Sequence, residues 1–330
     1  MTSTAAPATR LAAAAEAIRY HYDVGNEFYR LWLDDSLTYS CAMPDAPGDT
    51  LETAQDRKLK FHLAAIGAER AGSVLDIGCG WGSLLRHLAL GHGVPRCVGL
   101  TLSAEQAAYL RARRYPGVEV RTENYLSYEP DAPFDGIVSI GAFEHFARPE
   151  DTQAAKVAVY RQFFDRCRGW LAADGALSLQ TIAYANMSRD DASEFMRTEV
   201  FPDADLPTLA EVAAAADRIF ELQTVRNDRL DYAWTCEQWA RRLREHREAA
   251  QRLAGAETVA RYERYLRLSA LGFRMGKLCL LRIVMRPYPG GYFGGSRAGI
   301  PVNRAGTAGA AAAGADVGGA DVGGTVAAPR

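Results

Sequence analysis

The stretch Val74-Leu75-Asp76-Ile77-Gly78-Cys79-Gly80-Trp81-Gly82 constrains this chain more than any other. It reads as a buried strand from Ser73 to Asp76, ending in a tight glycine turn that opens a helix at Ser83-Leu84-Leu85-Arg86. Glycines at alternate positions permit positive φ and let the backbone approach a ligand too closely for any Cβ. The helix N-terminus beyond the turn offers free N–H groups to a carboxylate or phosphate. The spacing is G-x-G-x-G, with Asp76 two residues before the first glycine, and so differs from the dinucleotide fingerprint G-x-G-x-x-G.

The rest of the chain repeats this strand–helix rhythm. A second strand is expected at Cys97 to Leu100, and a helix from Ser103 to about Arg114, where Ser103 and Gln106 are spaced as a capping box. Further strands are expected at Gly117 to Arg121, Phe134 to Ile140 and Gly175 to Thr181, with a helix from about Ala154 to Leu171 before the last of these. Such alternation implies an α/β fold with a parallel sheet covered on both faces. From about 183 to 252 the rhythm breaks into a helical, irregular insertion, the place for a substrate lid; a final pair of strands is expected at Ile219 to Asn227 and Cys279 to Met285. The expected organisation is a helical lead over 1–20, one domain over 21–287 and a Gly/Ala-rich tail over 288–330. That tail is too poor in apolar side chains to offset its ordering entropy.

Composition narrows the function. Lys+Arg of 38 against Asp+Glu of 40 gives a net charge of −2, so nothing marks nucleic acid as an electrostatic partner. No apolar run is long enough to span a bilayer, and Leu11 to Ala15 is too short a run for a secretory signal. The six cysteines show no C-x-x-C spacing, which argues against zinc and a disulfide framework; the expectation is a cytoplasmic protein.

The G-x-G-x-G turn resembles that of class I S-adenosylmethionine (SAM) methyltransferases. On that reading Gly78, Gly80 and Gly82 surround the methionine end of SAM. The ribose-binding place at the end of the second strand holds Thr101-Leu102-Ser103 and Gln106 in place of an acid. A hydroxyl and a carboxamide can bind ribose, and the same residues can equally form a plain helix cap. Past the fourth strand, on the ligand edge of such a sheet, lies Gly141-Ala142-Phe143-Glu144-His145.

Taken in order, His21-Tyr22-Asp23-Val24-Gly25-Asn26-Glu27-Phe28-Tyr29, Leu37-Thr38-Tyr39-Ser40-Cys41-Ala42, the glycine turn with Trp81, Gly99 to Ser103 and Ser139 to Phe146 resemble the cyclopropane fatty acid synthase family, which includes the mycolic acid cyclopropane synthases. Phe201-Pro202, Leu206-Pro207 and Asp231-Tyr232-Ala233 with Trp239 continue the likeness, which runs from about 18 to 285. The His-Tyr-Asp motif lies near the start, as in the shorter mycolic-type enzymes.

The resemblance implies a SAM-dependent methyltransferase with a Rossmann-like fold. It acts on the double bond of an acyl chain, on phospholipid or acyl carrier protein, and gives a cyclopropane or methyl-branched product. It also implies a bound bicarbonate that takes the proton lost on ring closure, cradled by Cys41, Glu144, the backbone near Ile182, and Tyr232. The SAM site maps to Tyr39, Ser40, Asp76, Gly78, Cys79, Gly80, Gly82, Thr101, Leu102, Gln106 and Tyr125. One position departs: the family usually carries His two residues before Ile182, where this chain has Gln180. An amide can hydrogen-bond an anion but cannot relay a proton. If the ring still closes on bicarbonate, Gln180→His is expected to raise turnover. Methylation of a small molecule on carbon or nitrogen is the second reading, and a SAM-binding protein without catalysis the third. Trp239 to Arg252, with five arginines, is either a basic face for anionic lipid or an acidic carrier protein, making the protein peripheral to the inner membrane face, or a solvated helix.

Overall fold

The computed structural model describes residues 25–197 and 205–288. The N-terminal lead, His21-Tyr22-Asp23, Phe201-Pro202 and the tail from residue 289 lie outside them.

Seven strands form one sheet: β1 Ser73–Ile77, β2 Arg96–Thr101, β3 Val118–Thr122, β4 Phe134–Ile140, β5 Leu171–Tyr184, β6 Phe220–Asn227 and β7 Leu278–Pro287. Their order is β3-β2-β1-β4-β5-β7-β6; all pairs are parallel except those of β7, which runs antiparallel to both β5 and β6. The strand–helix alternation predicts this mostly parallel sheet, and its order is the class I methyltransferase arrangement that the resemblance implies. Strand order reverses between β1 and β4, and ligands bind in the crevice outside the carboxyl ends of strands at such a switch point. Both the glycine turn after β1 and the Glu144 segment after β4 emerge there.

The helices follow from local signals. Helix α1 (Asn26–Arg30) follows Gly25, and α2 (Leu51–Ala65) is capped by Thr50, which accepts from the Thr53 N–H. Helix α3 (Ser83–Arg86) continues as one π-type turn to Gly91, and α4 (Ala104–Arg113) ends at Arg114 in the left-handed region, φ 50°. Helix α5 (Gln153–Trp170) starts at Thr152 and α6 (Leu209–Ala216) at a Thr208–Glu211 capping box.

Two expectations are corrected. Strand β5 reaches from Leu171 to Tyr184 rather than from 175 to 181, because Leu171 already pairs with Phe134 and its far half pairs with β7 out to Leu278. The insertion comes in two pieces and ends later than 252. Helix α6 precedes β6, while α7 (Arg229–Glu245), α8 (Arg247–Ala254) and α9 (Ala256–Arg274) lie between β6 and β7. Val259, Tyr262, Tyr265, Leu266, Ala270 and Phe273 make a helical apolar stripe on α9 that needs a partner. They join a cluster with Trp32, Tyr232 and Trp239, which caps the ligand edge of the sheet.

Among the described residues no helix is long and apolar enough to cross a membrane. Three of the five arginines of the basic segment over α7–α8 are engaged within the protein. Arg242 binds the Leu33 carbonyl and Glu52, Arg241 pairs with Glu245, and Arg247 with Glu263.

Candidate active site

A cavity opens at the carboxyl ends of β1, β2 and β4. Tyr39, Ser40, Asp76, Gly78, Cys79, Gly80, Thr101, Leu102, Gln106 and Tyr125 all line it. Gly82 does not, and its glycine has another cause: φ is +80°, and a Cβ there would stand 2.1 Å from the Leu110 side chain of α4. Gly80 is the reverse case. Its φ is +54°, it lines the cavity, and a Cβ would meet no atom within 4 Å, so the bare backbone forms part of the cavity wall.

Ser103 and Gln106 form less than a full capping box. Ser103 Oγ accepts the Gln106 N–H, but the Gln106 side chain does not return the bond. Its Oε1 instead accepts from Thr101 Oγ1 at 2.8 Å, because Thr101 in turn receives the Ser103 N–H. The Gln106 carboxamide is thereby held against the cavity. Tyr125 is buried with its ring 4.6 Å from that of Phe146.

Asp76 is buried at the glycine-turn end of the cavity, and desolvation pushes its carboxyl up to about 7 against the pull of Lys58. His145 lines the same cavity, where burial lowers it to about 4, so it is neutral. Trp81 closes the turn by donating from Nε1 to Asn26 Oδ1 at 2.7 Å.

A second, mainly apolar cavity lies under α7 and α9, lined by Ile182, Leu206, Tyr232, Tyr265 and Leu268 among others. The two cavities share a wall: Tyr39 of the first donates to Tyr265 of the second at 3.3 Å. Cys41 and Glu144 are buried near the Tyr232 phenol and, with Cys236 and Tyr265 nearby, add to the desolvation that raises its pKa. Tyr232 stacks on Phe273 at 4.6 Å, and among the described residues its hydroxyl makes no hydrogen bond. The Cys41 N–H, in a fully buried residue, likewise makes none. Burial pushes the Cys41 thiol up to about 12, so it stays protonated.

Glu144 sits in a one-turn helix, Phe143–His145, entered through Gly141 at φ +73°. Its carboxylate accepts from Thr181 Oγ1 at 3.0 Å and from the Ile182 N–H; desolvation outweighs both and raises it to about 7.

Gln180 differs from its expected place. Like Cys41 and Glu144 it lines neither cavity; its Oε1 accepts from Arg282 Nε at 2.8 Å and lies 3.4 Å from His62 Nε2. Arg282, fully buried, reaches on to the carbonyls of Ala42 (2.9 Å) and Cys41 (3.3 Å) and pairs with Asp228 and Asp231. Gln180 therefore touches the Cys41 segment only through Arg282.

Sequence reasoning missed Lys58, His62 and Arg282. A signal existed for the first two: on α2 they fall among Leu51, Ala54, Leu59 and Leu63, polar residues on the core-facing stripe. Arg282 is legible only once β7 is paired with β5.

Residues 9–283 match the family model described as mycolic acid cyclopropane synthetase. The chain belongs to this family. It is 36% identical over 282 residues to cyclopropane mycolic acid synthase 2 of Mycobacterium tuberculosis, an alignment spanning 78% of this chain and 90% of the relative. It is 34% identical to a probable fatty acid methyltransferase of Pseudomonas putida, over 84% and 71% of the two chains. The solved cyclopropane synthase MmaA2 of M. tuberculosis superposes with a TM-score of 0.73 at 32% identity, covering 82% of this chain and 97% of that one. The mycolic acid cyclopropane synthase CmaA1, solved with S-adenosylhomocysteine and CTAB, gives the same TM-score at 30% identity and the same coverage. As a mycolic acid cyclopropane synthetase family member, the protein is a SAM-dependent methyltransferase.

Proposed function

We propose that the protein transfers the methyl carbon of SAM to the double bond of an unsaturated acyl chain and closes a cyclopropane ring. The observation carrying this is the shared wall: a polar cavity with a glycine cradle adjoins an apolar one through Tyr39 and Tyr265. The apolar cavity suits an acyl chain, and burial there keeps water from the reacting carbons.

SAM supplies an electrophilic methyl group. The bare backbone at Gly80 and the zwitterion-accepting groups around Asp76 fit its methionine end, and the fixed Gln106 carboxamide fits its ribose. An alkene is a weak nucleophile, so the two cavities must hold the reacting carbons in contact. The aromatic faces of Tyr232 and Tyr265 stabilise the positive charge that develops on the chain.

Ring closure then needs a base. Cys41 is a neutral thiol and His145 lies on the cofactor side, so neither serves. The unpaired Cys41 N–H, the Tyr232 hydroxyl and Glu144 form a small polar nest that fits a bicarbonate ion. Glu144 would accept from the hydroxyl of such an anion, the Cys41 N–H and the Tyr232 phenol would donate to its oxygens, and the anion would supply the base. Gln180 acts behind this nest, through Arg282.

The acyl chain comes from phospholipid or from an acyl carrier protein. Incubation with SAM and each substrate in turn identifies which, by mass spectrometry for the gain of one CH2. Turnover on the accepted substrate should fall when bicarbonate is stripped and recover when it is restored. Turnover indifferent to bicarbonate would make Glu144 itself the base.

A further inference from the structure

We propose that Lys58 is the cationic anchor for the α-carboxylate of SAM, acting with the Ser40 hydroxyl, while Asp76 faces the α-ammonium group. The proposal rests on SAM occupying the glycine-cradled cavity.

Lys58 is 1% exposed, projects from the core-facing stripe of α2 and lines that cavity. Its Nζ donates to Ser40 Oγ at 3.0 Å, the one hydrogen bond this three-donor ammonium makes among the described residues. Gln55, one turn earlier, donates to the carbonyls of Ser40 (2.8 Å) and Thr38 (3.2 Å) and so fixes the segment that presents Ser40.

The neighbouring charges leave the lysine short of a partner. Asp34 and Asp76 attract it through space only, Arg282 repels it, and His62 faces it as a neutral ring. Asp34 is already engaged: Oδ1 takes the Thr38 N–H at 2.8 Å, and Oδ2 takes the Ser36 N–H and hydroxyl. A buried ammonium without a direct counterion is costly unless one arrives from outside.

The methionine half of SAM ends in a zwitterion, and this end of the cavity offers one buried cation and one buried acid. Burial, the largest cause for each, pushes both toward their neutral forms, Lys58 down to about 7 and Asp76 up to about 7. A carboxylate against Lys58 and an ammonium against Asp76 reverse both trends.

The test is calorimetric titration of the full chain with SAM and with its decarboxylated analogue. The wild type should prefer SAM by about 10- to 100-fold, the range of a charge-assisted hydrogen bond. Lys58→Met should bind the two ligands alike. Lys58→Gln, which keeps a donor for Ser40 and serves if the Met variant fails to fold, should lose about tenfold of the preference. A wild type that does not discriminate, or a variant that keeps the full preference, overturns the role of Lys58. Gly80→Val separates this from the site itself: a β-branched side chain at positive φ should weaken both ligands about equally, by tenfold or more. Unchanged affinities there would remove SAM from this cavity altogether.

Discussion

Gln180 Oε1 accepts the Arg282 Nε–H at 2.8 Å, across a register that sets the two residues opposite one another on β5 and β7. The same guanidinium holds the carbonyls of Cys41 and Ala42, so the amide steadies the segment that supplies the Cys41 N–H. The resemblance implies that Gln180 faces the anion; in the structure its amide oxygen meets Arg282 and His62.

That relationship reverses the expectation for Gln180→His. An imidazole there can accept from Arg282 only while neutral, and the shorter reach leaves buried donors short of an acceptor, at a cost of about 1–3 kcal/mol. The variant should melt lower and turn over more slowly, with SAM affinity changed less than about twofold. A faster variant with an unchanged melting temperature would return Gln180 to the anion nest.

Burial raises Glu144 to about 7 against the hydrogen bonds it accepts, so it is only partly ionised near neutrality, and both its oxygens are pure acceptors only in the ionised form. Turnover at fixed bicarbonate should rise with pH through a limb near 7. Thr181 donates to the carboxylate and favours its charged form; Thr181→Val should therefore move the limb to higher pH. Glu144→Gln should lose the limb and most of the turnover while still binding SAM. A pH profile identical in all three proteins would remove Glu144 from the chemistry.

Asp76 gives a stability signature. Its carboxyl lies at about 7 when folded and 3.8 ordinarily, so the folded state binds the extra proton between those values. The contribution of Asp76 to the stability of the ligand-free protein is thus greatest below that window and declines as pH rises through it. Glu144 contributes with the same sign. Melting temperatures of wild type and Asp76→Asn from pH 4 to 8 check this: the variant should show the shallower decline, and equal slopes would contradict the burial argument.

What was legible in the sequence was local. The turn at Gly78 to Gly82 announces itself because positive φ and close approach need glycine wherever they occur. The strands before it and at Phe134 to Ile140 show as short apolar runs. Glu144 drew attention through the family resemblance, its position after a strand not being diagnostic alone, and Gln106 through its spacing from Ser103, although the structure turns that side chain to Thr101. The partners missed are those fixed by distant pairing. Gln180 and Arg282 meet only because β7 runs antiparallel along β5, and no local pattern encodes that register. Lys58 was overlooked for a different reason: a lysine among charged neighbours reads as solvent-facing until its place on the apolar stripe is counted.

The central claim is transfer of the SAM methyl carbon to an acyl double bond with ring closure. The most direct measurement supplies SAM labelled with carbon-13 at the methyl group together with a cis-unsaturated acyl substrate, and follows the label by NMR. The account predicts label in a cyclopropane methylene, in an amount that depends on bicarbonate. Label recovered on a nitrogen or oxygen, or an acyl fraction left unlabelled while S-adenosylhomocysteine accumulates, would contradict it.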